Sequence, residues 1–86
     1  MVSYQIEWKH SATKELRSLP GKVLLRVSSA VEKLSINPFP IGVRKLVGAE
    51  NTYRIREGDY RIIYKVEAKR LVILICRVRH RKDAYE

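Results

Sequence analysis

Residues 53–66 read YRIREGDYRIIYKV, and this stretch decides the fold. Apolar and charged side chains alternate on both sides of a central Glu-Gly-Asp, and a period of two is typical of half-buried strands. A short loop with glycine between two such runs indicates a hairpin. The stretch therefore predicts two antiparallel strands, in which Tyr53 and Ile55 face a core and Arg54 and Arg56 face away from it.

A third strand is predicted from residues 71–78, LVILICRV, because a run that is apolar on both faces is typical of a central strand. Strict alternation divides this strand and its extension into two faces. One face holds Val72, Leu74, Cys76 and Val78, and the other holds Leu71, Ile73, Ile75, Arg77, Arg79 and Arg81. Cys76 is the only cysteine, and we expect it to be a small core residue. One thiol can form neither a disulfide within the chain nor a cysteine zinc site.

The first half of the chain predicts one strand and two helices. Residues 2–8 alternate, and Ser11 can cap the helix that follows. Pro20 and Gly21 separate this helix from a second one, which carries an amphipathic stripe. The stripe is formed by Val23, Val27, Ala30, Val31 and Leu34. The second helix ends at Asn37, because a residue before proline is pushed out of helical dihedrals. A connecting segment then runs to Asn51.

The predicted order of elements is β-α-α-β-β-β in one domain, residues 1–86. This is an α+β fold in which a helical hairpin packs on one face of a four-stranded, mainly antiparallel sheet. The beginning of the chain lacks a basic leader followed by an apolar block. The longest apolar run, residues 71–76, is also far below the roughly 20 residues of a membrane span. We therefore expect a cytoplasmic protein without a membrane partner.

Charge is the main compositional fact, since 18 Lys and Arg face nine Asp and Glu, for a net charge of +9. A field of this size favours a polyanionic partner, such as nucleic acid, the ribosome, an acidic membrane or an acidic protein. The strand phases gather six arginines on the sheet face away from the helices: Arg54, Arg56, Arg61, Arg77, Arg79 and Arg81. Guanidinium binds phosphate in a bidentate fork, so a phosphodiester is the natural ligand. The alternative is pairing with Glu57, Asp59 or Glu67, but these acids are too few for the whole set.

The C-terminal residues add groups that suit RNA chemistry. His80 can act as acid or base near neutral pH, and Tyr85 can stack on an unpaired base. The alternative is a solvated tail for His80 and docking on the core for Tyr85. The only other histidine, His10, lies far away in sequence, and no carboxylate cluster accompanies either of them. We therefore expect neither a metal ion nor another cofactor, and a metal-free reaction.

Four stretches together resemble the toxins of the RelE/ParE superfamily. They are Lys45-Leu46-Val47-Gly48, Tyr53-Arg54-Ile55-Arg56, Gly58-Asp59-Tyr60-Arg61-Ile62-Ile63-Tyr64 and His80-Arg81-Lys82-Asp83-Ala84-Tyr85. The last stretch is more similar to the RelE branch. The resemblance implies a ribosome-dependent endoribonuclease that cuts messenger RNA in the A site by attack of the 2′-OH. It also implies a cognate acidic, RelB-like antitoxin, with the ribosome and messenger RNA as further partners.

The resemblance also implies roles for individual residues. The predicted catalytic residues are Arg56, Arg61, His80, Arg81 and Tyr85, and the predicted RNA- or ribosome-binding residues are Arg44, Lys45, Arg54, Arg77, Arg79 and Lys82. Arg61 and Arg81 match phosphate-stabilising arginines, and Tyr85 matches a tyrosine that orients the nucleotide. Arg54 and Arg56 stand where the family prototype carries lysines, one of them proposed as a base. Arginine stays protonated and is a poor base. Either Arg56 only stabilises charge or the base lies elsewhere, and His80 is then the candidate acid or base.

Two other functions remain open from the sequence. One is a ParE-like inhibitor of DNA gyrase, which binds its target without cutting nucleic acid. The other is a non-catalytic RNA- or ribosome-binding domain, whose affinity would depend strongly on salt.

Overall fold

The computed structural model describes residues 3–83 of the chain. Seven elements follow one another in these residues. They are β1 (Gln5–Trp8), α1 (His10–Arg17), α2 (Gly21–Leu34), β2 (Arg44–Lys45), β3 (Thr52–Glu57), β4 (Tyr60–Glu67) and β5 (Val72–His80). The predicted α+β class, with two helices packed on a sheet, is confirmed.

The sheet has five strands in the order β1-β5-β4-β3-β2, one more than predicted. The additional strand, β2, lies in the segment predicted to be a connection, and it is only two residues long and has no apolar alternation. Arg44 pairs with Arg54, and Lys45 pairs with Tyr53. The pairs β2–β3, β3–β4 and β4–β5 are antiparallel, whereas β1 pairs with β5 in parallel. The order places β5, β4 and β3 in the interior of the sheet, with β1 and β2 at its edges.

Both helices bury their apolar stripes against one face of the sheet. Ala12 of α1 and the α2 residues Val27, Val31 and Leu34 are buried in one cluster with side chains of β3, β4 and β5. Helix α1 begins at His10, with Lys9 at the N-cap position, so Ser11 lies inside the first turn and does not cap it as predicted. Helix α2 begins after Pro20, whose missing N–H costs nothing at a helix start.

A β-bulge at Cys76 changes the phase of the last strand. Ile63 pairs with Arg77, but the next residue of β4, Tyr64, pairs with Ile75, so Cys76 has no partner in β4. The extra residue shifts the alternation, as bulges do. Ile73, Ile75 and Val78 therefore face the helices together, and the predicted division of this strand into two faces is wrong. Cys76 itself is only half-buried, and Leu71 precedes the strand in a turn.

A buried hydrogen bond ties the loop after α2 to the sheet. The phenol of Tyr64 donates to the Pro38 carbonyl oxygen at 2.6 Å, and Tyr64 is fully buried. Burial and the neighbouring Tyr53 raise the pKa of Tyr64 far above its ordinary value. The ring of Phe39 also packs edge-on against Tyr53, with centroids 5.0 Å apart. These contacts hold the loop next to the strands that carry the arginines.

Candidate nucleic-acid interface

Six arginines of the strands β2 to β5 lie on the sheet face that the helices leave open. Residues paired across a ladder share a face, and the pairing gives two rows. The first row runs Arg56, Arg61, Arg79 across β3, β4 and β5. The second row runs Arg44, Arg54, Ile63, Arg77 across β2 to β5. We call Arg44, Arg54, Arg56, Arg61, Arg77 and Arg79 the arginine surface.

The first row concentrates charge in a small area. Neighbouring strands lie about 4.8 Å apart, so the three Cα atoms of the row span roughly 10 Å. Like charges directly opposite each other are destabilising in a sheet. A phosphodiester is a suitable anion for such a row, because each guanidinium can form paired hydrogen bonds with phosphate oxygens.

The bulge at Cys76 is responsible for this gathering. With strict alternation Arg77 and Arg79 would share a face with Ile73 and Ile75, which are buried in the core. The extra residue lets the apolar half of β5 face the helices and the basic half face the open side. Arg54, Arg56, Arg61, Arg77 and Arg79 therefore share a face as predicted. The strict alternation of β5 from which we predicted it is interrupted at Cys76.

An acidic residue that the sequence reading did not single out lies at the rim of the arginine surface. The Glu15 carboxylate, on α1, accepts hydrogen bonds from Arg77 Nη2 at 2.9 Å and from the Val78 backbone N–H at 2.9 Å. Arg79 Nε lies 3.9 Å from the same carboxylate. The sequence carries one signal for this residue: Glu15 is the only acidic residue of helix α1, which also carries two basic residues.

Arg81 continues the ladder beyond the last strand. Its backbone N–H donates to the Asp59 carbonyl oxygen at 2.7 Å, one pair beyond Tyr60 and His80. Alternation along the chain therefore puts Arg81 on the same side as Arg79 and Arg61. Its guanidinium approaches the Asp59 carboxylate, with Nε 3.8 Å from Oδ1, and both side chains are largely exposed.

Other predicted site residues are not brought to the arginine surface. His80 pairs with Tyr60 on the helix side of the sheet, and the two rings meet edge-on with centroids 5.2 Å apart. Lys45 pairs with Tyr53 and so also points to the helix side. Lys82 is exposed, and its backbone N–H donates to His80 Nδ1 at 3.2 Å. The predicted role of Tyr85 falls outside the residues that the structure describes.

A groove of about 710 Å³ borders the arginine surface at the β3 edge. Its walls are the C-terminal half of α2, the loop after it and the strands β2 and β3. Three members of the arginine surface line it: Arg44, Arg54 and Arg56. Strand β2 covers β3 only up to Arg54, so the edge beyond it, at Ile55 to Glu57, opens into this groove.

Neither a metal centre nor a membrane-crossing helix is found within residues 3–83. No three side chains of His, Cys, Asp or Glu in this range are grouped so that they could hold a metal ion. None of the helices there combines the length and the apolar character that crossing a bilayer requires.

Comparison with known proteins identifies the family. The family model of the ParE toxin of type II toxin-antitoxin systems matches residues 6–85. The chain belongs to the RelE/ParE toxin superfamily. Among curated relatives of this toxin, Toxin RelE3 of Methanocaldococcus jannaschii is 35% identical over an alignment of 77 positions that covers 85% of each chain. Toxin RelG of Mycobacterium tuberculosis is 33% identical over an alignment of 88 positions, gaps included, that covers 98% of each chain.

Solved structures agree with the RelE-like fold of the toxin. The archaeal RelE-RelB complex from Pyrococcus horikoshii contains a chain that is 34% identical, with a TM-score of 0.83 and coverage of 95% of this chain and 99% of that one. The toxin-antitoxin complex RelBE2 from Mycobacterium tuberculosis gives 30% identity, a TM-score of 0.81 and coverage of 96% and 97%. The predicted resemblance to the RelE branch is thus confirmed.

Proposed function

We propose that this toxin is a metal-free endoribonuclease that cuts messenger RNA in the ribosomal A site. The observation that carries the proposal is the row Arg56, Arg61, Arg79, which places three guanidiniums side by side on an open sheet face. Messenger RNA threaded through the ribosome presents single-stranded phosphodiesters, and an open, convergent cationic surface suits them. The RelE names of the curated relatives support this reading.

The chemistry that this surface serves is attack of a ribose 2′-OH on the adjacent phosphorus. The bond from phosphorus to the 5′-oxygen breaks, which leaves a 2′,3′-cyclic phosphate on one product and a 5′-OH on the other. Charge builds up on the phosphate oxygens during attack, and fixed cations stabilise that charge more in the transition state than in the ground state. Arg61, at the centre of the row, is assigned to this task, with Arg79, Arg56 and Arg81 around it.

The remaining site residues have different tasks. Arg44 and Arg54, at the outer end of the second row, bind neighbouring phosphates and so set the register of the RNA. The proposal assigns no proton transfer to His80, because its ring packs against Tyr60 on the helix side of the sheet. Tyr85 is proposed to stack on a base next to the cleaved bond.

The proposed partner of the toxin in the cell is an acidic, RelB-like antitoxin. Two of the similar solved structures are complexes of a RelE toxin with RelB. The net charge of +9 makes an acidic partner that covers the cationic face electrostatically favourable. Cytoplasmic location follows from the proposed action on translating ribosomes.

One observation favours a second function. The matching family model is that of the ParE toxin, so a ParE-like inhibitor of DNA gyrase is the alternative. Such a toxin would bind its target without cutting RNA. Induction would then trigger DNA damage signalling while messenger RNA stays intact.

Mapping of transcript ends in translating cells after brief induction tests the proposal. We expect cuts inside reading frames, in register with codons, that disappear when translation is blocked. An Arg61→Ala variant expressed to the same level serves as the control and should leave the messages intact. Intact messages after induction of the wild-type toxin, in cells whose growth has stopped, would contradict the nuclease function.

A further inference from the structure

Within residues 3–83, no strand pairs with the outer edge of β5 in its second half, and Glu15 occupies that place. Strand β1 pairs with β5 only from Val72 to Ile75. Beyond it, the Val78 N–H donates to Glu15 Oε1 at 2.9 Å. A backbone N–H at a half-buried sheet edge needs an acceptor, and here a helix side chain provides it.

The same carboxylate contacts the side chains on either side of Val78. Arg77 Nη2 donates to Oε2 at 2.9 Å, and Arg77 Nε lies 3.3 Å from both carboxylate oxygens. Arg79 Nε lies 3.9 Å from Oε2. The Glu15 side chain is only 24% exposed, so water screens these pairs less than it screens pairs on an open surface. One carboxylate thus accepts hydrogen bonds from Arg77 and Val78 and forms a longer ion pair with Arg79, the next residue of the strand.

The geometry points to Glu15 as a positioning residue that holds Arg79, and with it Arg77, ready for the RNA phosphate. This inference rests on the proposed nuclease function. A guanidinium has five N–H donors in a rigid fork, and the contact of Arg79 with Glu15 uses only its Nε edge. Its two Nη groups remain to bind phosphate in this proposal, and Arg61 is the residue paired with Arg79 on the neighbouring strand.

Such a contact raises the cleavage rate because fewer side-chain rotamers have to be fixed during the reaction. A long arginine side chain loses roughly 2 kcal/mol of rotamer entropy when it is fixed. If Glu15 fixes Arg79 before RNA arrives, this cost is not added to the barrier, which is the advantage of a pre-organised site. Glu15 itself has no role in contacting RNA, since its negative charge would repel the phosphate.

The test is Glu15→Gln, which keeps an oxygen acceptor for the Val78 N–H but removes the charge that holds the arginines. Cleavage of message on purified, programmed ribosomes is measured as kcat and KM separately. We expect kcat to fall by about tenfold or more. Loss of a partner that orients a metal ligand has an effect of this size at metal sites. We expect KM to stay the same or fall, because the variant is more positive. The control Glu67→Gln makes the same charge change and breaks a different pair, with Arg70, at the far end of the sheet.

A double-mutant cycle separates positioning from general destabilisation. If Glu15 acts through Arg79, Glu15→Gln should have little further effect on kcat in an Arg79→Ala background. Equal losses of kcat in both backgrounds overturn the inference, as does a wild-type rate in Glu15→Gln. If the wild-type toxin cuts no message on ribosomes, the nuclease function itself fails, which is a different result from a cleaving wild type with an inert Glu15.

A measurement on the wild-type toxin keeps the inference testable even if Glu15→Gln does not fold. In ¹⁵N NMR spectra of the wild-type toxin, the Nε–H signals of Arg77 and Arg79 should exchange with water more slowly than that of Arg26, which is exposed on α2. Equal exchange rates for all three arginines contradict the positioning role.

Discussion

Arg61 and Arg79 lie directly opposite each other in the β4–β5 ladder, at the centre of the open sheet face. Like charges in this relationship are unfavourable in a sheet unless anions lie nearby, and the Glu15 carboxylate lies 3.9 Å from Arg79 Nε. The same relationship creates a site in which a phosphate can be bound from two sides. The proposed nuclease function depends on this pair.

Replacement of Arg61 tests the central role of that pair. We expect Arg61→Ala to lower kcat for ribosome-dependent cleavage by about 100-fold or more, the usual effect of losing one transition-state donor. Arg61→Lys should recover only part of the rate, because lysine keeps the charge but lacks the planar fork. The control Arg70→Ala removes the same charge from the β4–β5 turn and should cut at the wild-type rate. A fully active Arg61→Ala would remove Arg61 from the site.

Arg81 should matter for cleavage but little for stability. Its pair with Asp59 joins two side chains that are each 64% exposed, and such pairs contribute little to folding. We therefore expect Arg81→Ala to unfold thermally like the wild type while its cleavage rate on ribosomes falls. Asp59→Asn breaks the pair from the other side and should retain cleavage. If Arg81→Ala retains full activity at an unchanged melting temperature, Arg81 does not contact the phosphate.

His80 should be dispensable for the chemical step. Its ring packs edge-on against Tyr60 on the helix side, so its replacement removes an aromatic contact and no group from the arginine surface. A proton-transfer residue contributes about 100- to 10,000-fold to a rate, and we expect His80→Asn to lose less than about tenfold. The measurement is single-turnover cleavage over a range of pH. A loss as large as that of Arg61→Ala would restore His80 as acid or base.

The buried phenol of Tyr64 should make the stability of the toxin fall at high pH. Burial, and to a smaller degree Tyr53, raise the pKa of Tyr64 above its ordinary value of 10.0. Below pH 10 both the folded and the unfolded chain keep this proton, so the contribution of Tyr64 is fully present. Above pH 10 the unfolded chain loses the proton while the folded chain keeps it, so the free energy of unfolding declines.

Comparison with Tyr64→Phe isolates this effect. Near neutral pH the variant should be less stable by about 1–2 kcal/mol, because the Pro38 carbonyl loses its buried donor. Between pH 9 and pH 11 the difference should shrink by about 1.4 kcal/mol, the linkage value for one pH unit above the ordinary pKa. Denaturant titrations at several pH values measure both quantities. Parallel curves for the two proteins would contradict the shifted pKa.

Position 58 should require glycine because of its backbone conformation, and not because a larger side chain would lack room there. Its φ is +61°, and a Cβ built there would meet no atom within 4 Å. We expect Gly58→Ala to lower stability by about 1–2 kcal/mol, the cost of a left-handed conformation for an ordinary residue. Gly58→Asn should cost less, because asparagine tolerates this region. Thermal unfolding of the two variants compares them, and an equal loss for both would contradict the explanation.

The local sequence was sufficient for part of the fold. The period of two in residues 53–66 correctly indicated which side chains of β3 and β4 face the helices, because alternation in an unbroken strand depends on nothing beyond the strand itself. The apolar stripe of α2 was equally reliable, since Val27, Val31 and Leu34 are all buried. The grouping of Arg54, Arg56 and Arg61 on the open face follows from the same rule.

Two features were decided by how the strands pair. Strand β2 exists only because its two residues find the edge of β3, and two residues carry no periodic signal of their own. The bulge at Cys76 depends on the register between β4 and β5, which must satisfy apolar residues on both halves of β5. No local pattern in LVILICRV marks the extra residue.

The amino-acid sequence by itself determined the class of the fold, the cationic character of the chain and the outward direction of the arginines on β3 and β4. Only the tertiary structure decided that Arg79 lies opposite Arg61, that His80 turns to the helix side, and that Glu15 holds Arg77 from 62 positions away in the chain. The physical reason is the distance along the chain over which each interaction acts. Periodicity and turn chemistry act between near neighbours, whereas strand register and contacts between a helix and a sheet edge arise only when distant segments pack together.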